Sequence, residues 1–390
     1  MYRRLLPLML ATFAIGTDSF VIAGILPQVA QSLEVSVGSA GQLVTAYALT
    51  YALLSPVVAV VAARWSRDRL LLVGLSLFVI ANIGTALAPT FGLVILCRIL
   101  AGLGGAAVTP VAVATGASLV PEERRGTALA VVGGGIAVSS ALGVPLGAVI
   151  GSLSDWHATM WFVAALGVVA AIGIIALVPN RPAPPPIGLR QRLAPIGNSR
   201  IALTLATTLF AFTGNFILNT YVSQTFMGAT GGHGTTLALL LFLAGAAGVV
   251  GNLGSGPLTD RWGNRTVFNI AAAITMVDFA LTPWTGEYLA AAVFAVLVWG
   301  VAGMAQLVPQ QDRLIGISPE SAPLAIALNS SVVFIGASLS GVIGAVGLNL
   351  VGARYLGVIG AVLFAVSLVF AHLAYLSIKR AQPLPQVVKP

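Results

Sequence analysis

The stretch Gly256-Pro-Leu-Thr-Asp-Arg-Trp-Gly-Asn-Arg265 has a counterpart 197 residues earlier, Ala59-Val-Val-Ala-Ala-Arg-Trp-Ser-Arg-Asp68. Both copies place Arg-Trp at the same point, and both come at the end of a long apolar run. The same offset of 197 residues places Phe13-Ala14 on Phe210-Ala211 and Asp18 on Asn215. Because equal offsets recur at separated places, the sequence predicts two copies of one structural unit.

The amino-acid composition is that of a membrane protein. Of the 390 residues, 58% are hydrophobic and 8% are charged, whereas about 25% of residues are charged in ordinary soluble domains. So few charges exclude a soluble enzyme, a disordered scaffold and a secreted disulfide module. Apolar runs long enough for a spanning helix of about 20 residues lie at approximately 5–27, 39–61, 69–88, 91–117, 126–151, 158–179, 200–224, 235–257, 265–284, 288–310, 322–349 and 353–377.

The length of these runs decides between helices and closed barrels, the two backbone structures that span membranes. The runs are too long and too uniformly apolar for the alternating strands of a barrel. Residues 181–199 are rich in Pro and Arg, which predicts a solvated linker between two halves. We therefore predict an all-α membrane protein with twelve transmembrane helices in two pseudo-symmetric six-helix bundles, residues 1–180 and 200–390.

The basic residues predict how the chain is oriented. With the N-terminus inside, 17 of the 19 Lys and Arg residues fall in cytoplasmic segments, and the exceptions are Arg98 and Arg354. This is the bias of the positive-inside rule, so we predict a multi-pass protein of the cell membrane with both termini cytoplasmic and no nucleic-acid partner. One Cys and three dispersed His residues provide no disulfide and no metal-ligand spacing, so neither a metal nor a cofactor is expected.

Several motifs accompany the repeated stretch. The first run carries Gly16-Thr-Asp-Ser-Phe-Val-Ile-Ala-Gly-Ile-Leu-Pro27, the fourth carries Arg98-Ile-Leu-Ala-Gly-Leu-Gly104, and the fifth carries Gly143-Val-Pro-Leu-Gly147. With these motifs the chain resembles, over essentially its whole length, the transporters of the major facilitator superfamily. The resemblance is to the twelve-span drug:proton antiporter branch, which includes sugar-efflux, purine-efflux and chloramphenicol-resistance proteins.

The repeated stretch matches the loop motif of that superfamily, Gly-x-Leu-x-Asp-Arg-x-Gly-x-Arg. The second copy is intact and supplies Asp260, Arg261 and Gly263, whereas the first copy keeps Arg64 but has Ala63 where the Asp is usual. The resemblance implies that this Asp helps to hold the halves in the outward-facing state, so Asp260 is the better candidate for that role. The alternative is that both loops only satisfy helix ends and set orientation.

Two charged residues lie well inside apolar runs, Asp18 in the first and Arg98 in the fourth. A charged residue at the bilayer centre costs about 2.5–3.5 kcal/mol on insertion scales, and an arginine stays charged. We predict that Asp18 carries a proton and that Arg98 tunes it, since Arg98 matches the family's helix-4 arginine, which is implicated in proton coupling. The alternative is a static polar pair. Asp278, in the ninth run, is expected in a snorkelling or helix-pairing role near the outer surface.

Polar and aromatic residues recur at helical spacing on runs that line the cavity in the resembled fold. Because an amide in lipid must face protein or water, these stripes are predicted to point inward. The candidate substrate-binding residues are Tyr47, Tyr51, Phe212, Asn215, Asn219, Trp299, Gln306, Gln310, Asn329 and Phe334. Such a lining suits an uncharged or weakly polar ligand, and hydrogen bonding between helices is the alternative.

A stripe of small residues in the fifth run is a further candidate. Gly143 and Gly147 recur at every fourth position and allow close helix approach, while Pro145 between them removes a backbone donor and permits a bend. The resemblance implies that this stripe faces the eighth helix across the interface between the halves and allows them to rock.

These features together predict a proton-coupled antiporter that exports a small, mostly uncharged organic compound or drug by alternating access. Its expected partners are a small-molecule substrate, protons and the lipid bilayer, and it is expected to be a monomer. An uncoupled facilitator, or a purine, nucleoside or sugar efflux permease of the same fold, is the alternative. A membrane enzyme and an ATP-driven pump are disfavoured, because the sequence carries neither a catalytic constellation nor a Gly-x-x-x-x-Gly-Lys-Ser/Thr motif.

Overall fold

The computed structural model of the chain describes residues 2–61, 65–121, 125–179, 188–318 and 322–381. In the described residues, each of the twelve predicted spans corresponds to one helix or to consecutive helical segments. The helices of the first half, the N-bundle, are α1 (Tyr2–Ser32), α2 (Val37–Val61), α3 (Arg67–Leu87), α4 (Phe91–Ser118), α5 (Arg125–Val138 and Val144–Leu153, joined by a π-helical turn at Ser139–Gly143) and α6 (Trp156–Leu177).

The second half, the C-bundle, repeats this arrangement. Its helices are α7 (Ser199–Thr220), α8 (Gly234–Trp262), α9 (Asn264–Ala280), α10 (Leu289–Met304 and Leu307–Ile317), α11 (Ala322–Leu350) and α12 (Leu356–Ala381). Short helical segments at Leu189–Leu193, Ala194–Gly197, Val222–Thr225, Met227–Thr230, Thr282–Thr285 and Ala353–Tyr355 connect them. Across the described ranges eleven helices are long and apolar enough to cross a membrane, and α9, with 17 residues, is the shorter twelfth. The predicted fold class is confirmed.

Side chains and glycines at the helix ends explain where several helices begin. Asp155 precedes α6, and its carboxylate accepts a hydrogen bond of 2.8 Å from the backbone N–H of Ala158. Asn198 precedes α7 and accepts one of 3.0 Å from the N–H of Arg200. Such caps satisfy amides that the helix itself leaves free. Gly263, between α8 and α9, has a φ of 78°, a conformation that disfavours residues with a Cβ.

The surface of the molecule is apolar where lipid is expected. Large side chains such as Leu153, Leu253 and Ile175 are 76%, 72% and 69% exposed. An apolar groove of about 520 Å³ also opens on the surface between α1 and α6, and none of the predicted site residues lines it. A water-facing surface of this kind would be unfavourable, so the exposed apolar side chains fit a hydrocarbon environment.

The two bundles contact each other mainly through α2 with α11 and through α5 with α8. We call the face where α1 begins and α12 ends the terminal face, and the opposite one the distal face. In the distal half, Gln42 Nε2 donates a hydrogen bond of 3.2 Å to the carbonyl of Gly341. One turn further along, Thr45 Oγ1 donates one of 3.0 Å to the carbonyl of Ser338. The bundles are therefore joined on the distal side.

In the terminal half, several glycines of α5 and α8 have open space around them. A Cβ added at Gly133 or Gly134 of α5, or at Gly254 or Gly256 of α8, would meet no atom within 4 Å. These positions would accept a small side chain without a change in the packing around them.

Candidate functional site

Asp18 and Arg98 form a buried ion pair between α1 and α4. Arg98 Nη1 lies 2.7 Å from Asp18 Oδ1, and Nη2 lies 2.7 Å from Oδ2. Both residues are 0% exposed. Two parallel hydrogen bonds between a guanidinium and a carboxylate are the strongest geometry that such a pair adopts, so the two residues predicted from separate apolar runs meet directly.

The surroundings of the pair place it inside the N-bundle. Asn82 of α3 donates a hydrogen bond of 3.4 Å to Asp18 Oδ2, and the sulfur of Met160 in α6 lies 3.9 Å from Arg98 Nη1. On the α2 side, the ring of Tyr47 lies 4.8 Å from the guanidinium carbon of Arg98. The described contacts of the pair come from α2, α3 and α6, all of them helices of the N-bundle. Helical periodicity locates a residue on a face but does not say which neighbour that face meets.

Asn82 is not among the residues predicted from sequence. It is 0% exposed, and its amide also donates to the carbonyl of Phe78, 3.0 Å away. The sequence does contain a signal for Asn82, since it is an amide within the third apolar run and an intramembrane polar group requires a partner.

In the C-bundle, several predicted lining residues bond to other helices instead. The indole N–H of Trp299 in α10 donates a hydrogen bond to Asn215 Oδ1 in α7. Gln306 donates to the hydroxyl of Thr275 in α9, 3.2 Å away. These hydrogen bonds join neighbouring helices, which is the alternative to substrate binding. They direct Gln306 away from the space between the bundles.

Asn329 and Gln310, also buried at 0% exposure, differ from each other. Thr208 of α7 donates a hydrogen bond of 2.8 Å to Asn329 Oδ1, so Asn329 joins α11 to α7. Both ends of the Gln310 amide lack a partner within the described structure. Asn219 is only partly buried. Gln310 thus has both of its amide atoms unused, whereas Asn329 lacks a described partner only at Nδ2.

Aromatic rings bridge the two bundles. Tyr51 of α2 stacks on Phe334 of α11 with centroids 3.9 Å apart, and Phe20 of α1 stacks on Phe216 of α7 at 5.4 Å. Phe212, one turn from Phe216, continues the second group at 6.0 Å. Phe20 and Phe216 are absent from the predicted set, although both lie in apolar runs where an aromatic ring gives no distinctive signal.

The glycine stripe of α5 faces α1. A side chain at Gly143 would overlap Thr17, and one at Gly147 would overlap Val21. The contact with α8 is made next to the stripe, where the π-helical turn presents its backbone at Ser140 to Gly245. The stripe therefore does not itself form the α5–α8 contact that the resemblance implies. Pro145 is buried in the segment after the turn.

The second loop motif lies at the end of α8. Asp260 and Arg261 are exposed, and Gly263 adopts the positive φ described above. Arg265 places its guanidinium 3.6 Å from the ring centre of Tyr375 in α12, which anchors the loop to the bundle. Arg64 of the first motif lies outside the described residues.

Asp278, for which a snorkelling or a helix-pairing role is expected, is buried in the C-bundle. It is 7% exposed, and its Oδ2 has no hydrogen-bond partner among the described residues. The sequence locates it correctly near the distal end of α9, but its side chain is turned into the bundle. Its burial contradicts snorkelling, and the helix-pairing role stays a prediction.

Comparison with known proteins gives consistent matches. A family model described as Major Facilitator Superfamily matches residues 8–315 and 204–390. The MFS-type transporter YfhI of Bacillus subtilis is 30% identical over 375 residues, which are 96% of this chain and 94% of that protein. The chloramphenicol resistance protein of Streptomyces lividans is 31% identical over 304 residues, which are 76% of this chain and 77% of that protein.

Solved structures show the same fold. A bacterial homolog of the human lysosomal transporter Spinster, in an inward-facing and unoccupied conformation, has a TM-score of 0.77 and 19% identity, covering 98% of this chain and 99% of that one. A single-residue mutant of the nucleoside transporter NupG has a TM-score of 0.76 and 14% identity, covering 96% of this chain and 99% of that one.

Proposed function

This chain belongs to the Major Facilitator Superfamily of membrane transporters, and from that premise we propose that it is a proton-coupled antiporter exporting a small, mostly uncharged organic compound. The observation that carries the proposal is the Asp18–Arg98 pair, two opposite charges joined at 2.7 Å and fully buried within membrane-spanning helices. Asp18 is the proton carrier in this scheme, and Arg98 stabilises its ionised form.

The physical reason is the cost of a buried charge. Removing one partner from a buried pair leaves an uncompensated charge and destabilises a protein by about 3–5 kcal/mol. When Asp18 takes a proton, Arg98 remains charged and loses its ionic partner. Protonation therefore changes the balance of contacts inside the N-bundle, which a transporter requires if proton binding is to favour one conformation.

The driving force is sufficient for export. One elementary charge crossing the membrane is worth about 2.3 kcal/mol per 100 mV, which corresponds to roughly a fifty-fold gradient of a neutral substrate. One proton per cycle is therefore enough to concentrate such a compound appreciably.

The substrate class follows from the groups between the bundles. The side chains that meet there are aromatic, in the Tyr51–Phe334 and Phe20–Phe216 stacks, and Arg98 is occupied by Asp18. A phosphorylated ligand would require free Lys or Arg side chains, so a neutral compound with apolar surface fits better. The similarity to a chloramphenicol resistance protein supports a drug-like substrate.

We also propose the orientation and the moving parts. The terminal face is cytoplasmic, as the distribution of Lys and Arg supports, and the hydrogen bonds between α2 and α11 then lie in the outer half of the membrane. Residues 1–180 and 200–390 move as the two halves, with 181–199 as the linker between them.

Transport in reconstituted vesicles tests this function. Purified protein is first screened with drugs, purines and sugars for thermal stabilisation, and the best ligand is then tested in vesicles with an imposed pH gradient. Wild-type protein should concentrate that ligand and Asp18→Asn should not, whereas Asp278→Asn, the same change at another buried acid, should retain accumulation. Equilibration without accumulation by the wild type would support the uncoupled facilitator instead.

A further inference from the structure

Tyr47 is the aromatic side chain that covers the buried ion pair. Its ring lies 4.8 Å from the guanidinium carbon of Arg98, within the distance at which a cation and a ring attract each other. Its hydroxyl accepts a hydrogen bond of 3.1 Å from Ser19, the residue next to Asp18. Tyr47 is 2% exposed, so it contacts the pair from a fixed position on α2.

A continuous line of rings runs from Tyr47 to the other bundle. Tyr47 stacks on Tyr51 with centroids 6.5 Å apart and planes inclined by 27°. Tyr51 in turn stacks on Phe334 of α11, at 3.9 Å and 22°. The buried pair of the N-bundle is thus joined through two tyrosines to a contact between the bundles.

The backbone of α4 leaves room for this line of rings. A Cβ at Gly105 would lie 2.8 Å from the Tyr47 hydroxyl and 3.3 Å from the Tyr51 ring. A Cβ at Gly102 would lie 2.5 Å from the backbone carbonyl of Tyr47. Arg98, Gly102 and Gly105 share one face of α4. The same helix face therefore carries the positive charge of Arg98 and packs against the two tyrosines.

We infer that Tyr47 is a positioning residue that transmits the protonation state of Asp18, through Arg98 and Tyr51, to the contact with Phe334. This rests on the proposed proton coupling. A proton from water binds the Asp18 carboxylate, the ionic contact with Arg98 weakens, and the guanidinium changes its position against the Tyr47 ring. Because Tyr47 packs against Tyr51, the two states of the pair place the Tyr51–Phe334 contact differently.

The titratable side chains around the Asp18–Arg98 pair come from α2 and α4. Arg98 and Cys97, which interact with each other, belong to α4, and Tyr47 faces the pair from α2. Asn82 of α3 and Met160 of α6 do not titrate. Substituting Cys97 by Ala removes the thiol and also clears the chain of its single cysteine for labelling.

The test measures the separation of the bundles on the distal face. The Cys97→Ala protein receives spin labels at Gln31 on α1 and at Leu350 on α11, both exposed, and is placed in lipid nanodiscs without ligand. Their distance distribution is recorded by electron–electron resonance at acidic and at alkaline pH. We expect a pH-dependent shift in the parent protein, loss of the shift in Asp18→Asn and Tyr47→Leu, and its retention in Tyr47→Phe, which keeps the ring.

The matched control is Phe20→Leu. Phe20 belongs to the other ring contact between the bundles but lies outside the line from Arg98, so this variant should change the starting distances and keep the pH-dependent shift. Tyr51→Leu should lose the shift, which gives a second test if Tyr47→Leu does not fold. A full shift in Tyr47→Leu together with its loss in Asp18→Asn would overturn the inference and leave the proposed function standing. No shift in the parent protein would contradict proton coupling itself.

Discussion

The hydroxyl of Thr45 in α2 donates a hydrogen bond of 3.0 Å to the backbone carbonyl of Ser338 in α11. With the Gln42–Gly341 bond one turn away, it joins the bundles in the distal half. These contacts use side chains on one helix and backbone carbonyls on the other. A relative movement of the two helices can therefore break them without leaving a buried charge.

Removing both of these hydrogen bonds should favour opening of the distal face. At about 1 kcal/mol each, Thr45→Val with Gln42→Leu should raise the open population roughly thirty-fold. The rate of alkylation of a cysteine placed at Ala48, 2% exposed, in the Cys97→Ala protein measures this population. Thr204→Val, which removes a hydroxyl bonded within its own helix, is the control and should leave the rate unchanged. Equal rates in all variants would show that these bonds do not hold the distal face closed.

Replacing Asp18 alone and replacing Arg98 alone should reduce the stability of the protein by different amounts. Asp18→Asn leaves a permanently charged Arg98 buried without an ionic partner, and a loss of about 3–5 kcal/mol is expected. Arg98→Met should cost less, because Asp18 can become neutral by taking a proton. The double variant should recover part of the loss. Thermal unfolding of the purified variants measures this order, and strictly additive losses would contradict a coupled pair.

A methyl group at Gly105 should disturb both tyrosines. Because that methyl would lie 2.8 Å from the Tyr47 hydroxyl, Gly105→Ala should destabilise the protein by about 1–3 kcal/mol and reduce transport. Gly92→Ala in the same helix is the matched control, since a Cβ there meets no atom within 4 Å and alanine favours a helix. Unfolding temperature and vesicle transport together provide the readout. Normal transport by Gly105→Ala would show that the packing of these rings is not required.

Gln306 and Gln310 should respond differently to the same substitution. Gln306→Leu removes a hydrogen bond to Thr275 and should reduce stability by about 1 kcal/mol with little change in ligand affinity. Gln310→Leu removes an amide without a described partner, so stability should be kept while affinity for the stabilising ligand falls. Thermal unfolding and ligand titration of each variant separate the two effects. Unchanged affinity in Gln310→Leu would remove Gln310 from the substrate site.

The architecture could be predicted from sequence because span length, charge distribution and the repeat each act along the chain. The apolar runs correspond to α1–α12, and α9 is short because Gly263 and the Thr282–Thr285 segment bound it. These patterns do not show which helices pack against each other. Asp18 and Arg98 both fall within the predicted first bundle, yet only the packed structure shows that Asn82, Met160 and Tyr47 surround them.

The errors at the site have the same origin. Gly143 and Gly147 share a helix face, but spacing alone does not tell whether α1 or α8 lies against it. Asp278 is located correctly along α9, while its rotation into the bundle depends on the neighbouring helices. The π-helical turn at Ser139–Gly143 rotates the chain that follows it, and such a turn has no reliable sequence signal. Each of these features depends on three-dimensional packing, which a one-dimensional pattern does not contain.

Protonation of Asp18 is the step on which proton-coupled export depends, and it can be observed without knowing the substrate. Infrared difference spectra of the purified protein between alkaline and acidic pH report the carboxylic acid C=O stretch directly. We expect a band that appears on acidification in wild-type protein and in Asp278→Asn, and that is missing in Asp18→Asn. A spectrum of Asp18→Asn identical to that of the wild type would contradict it.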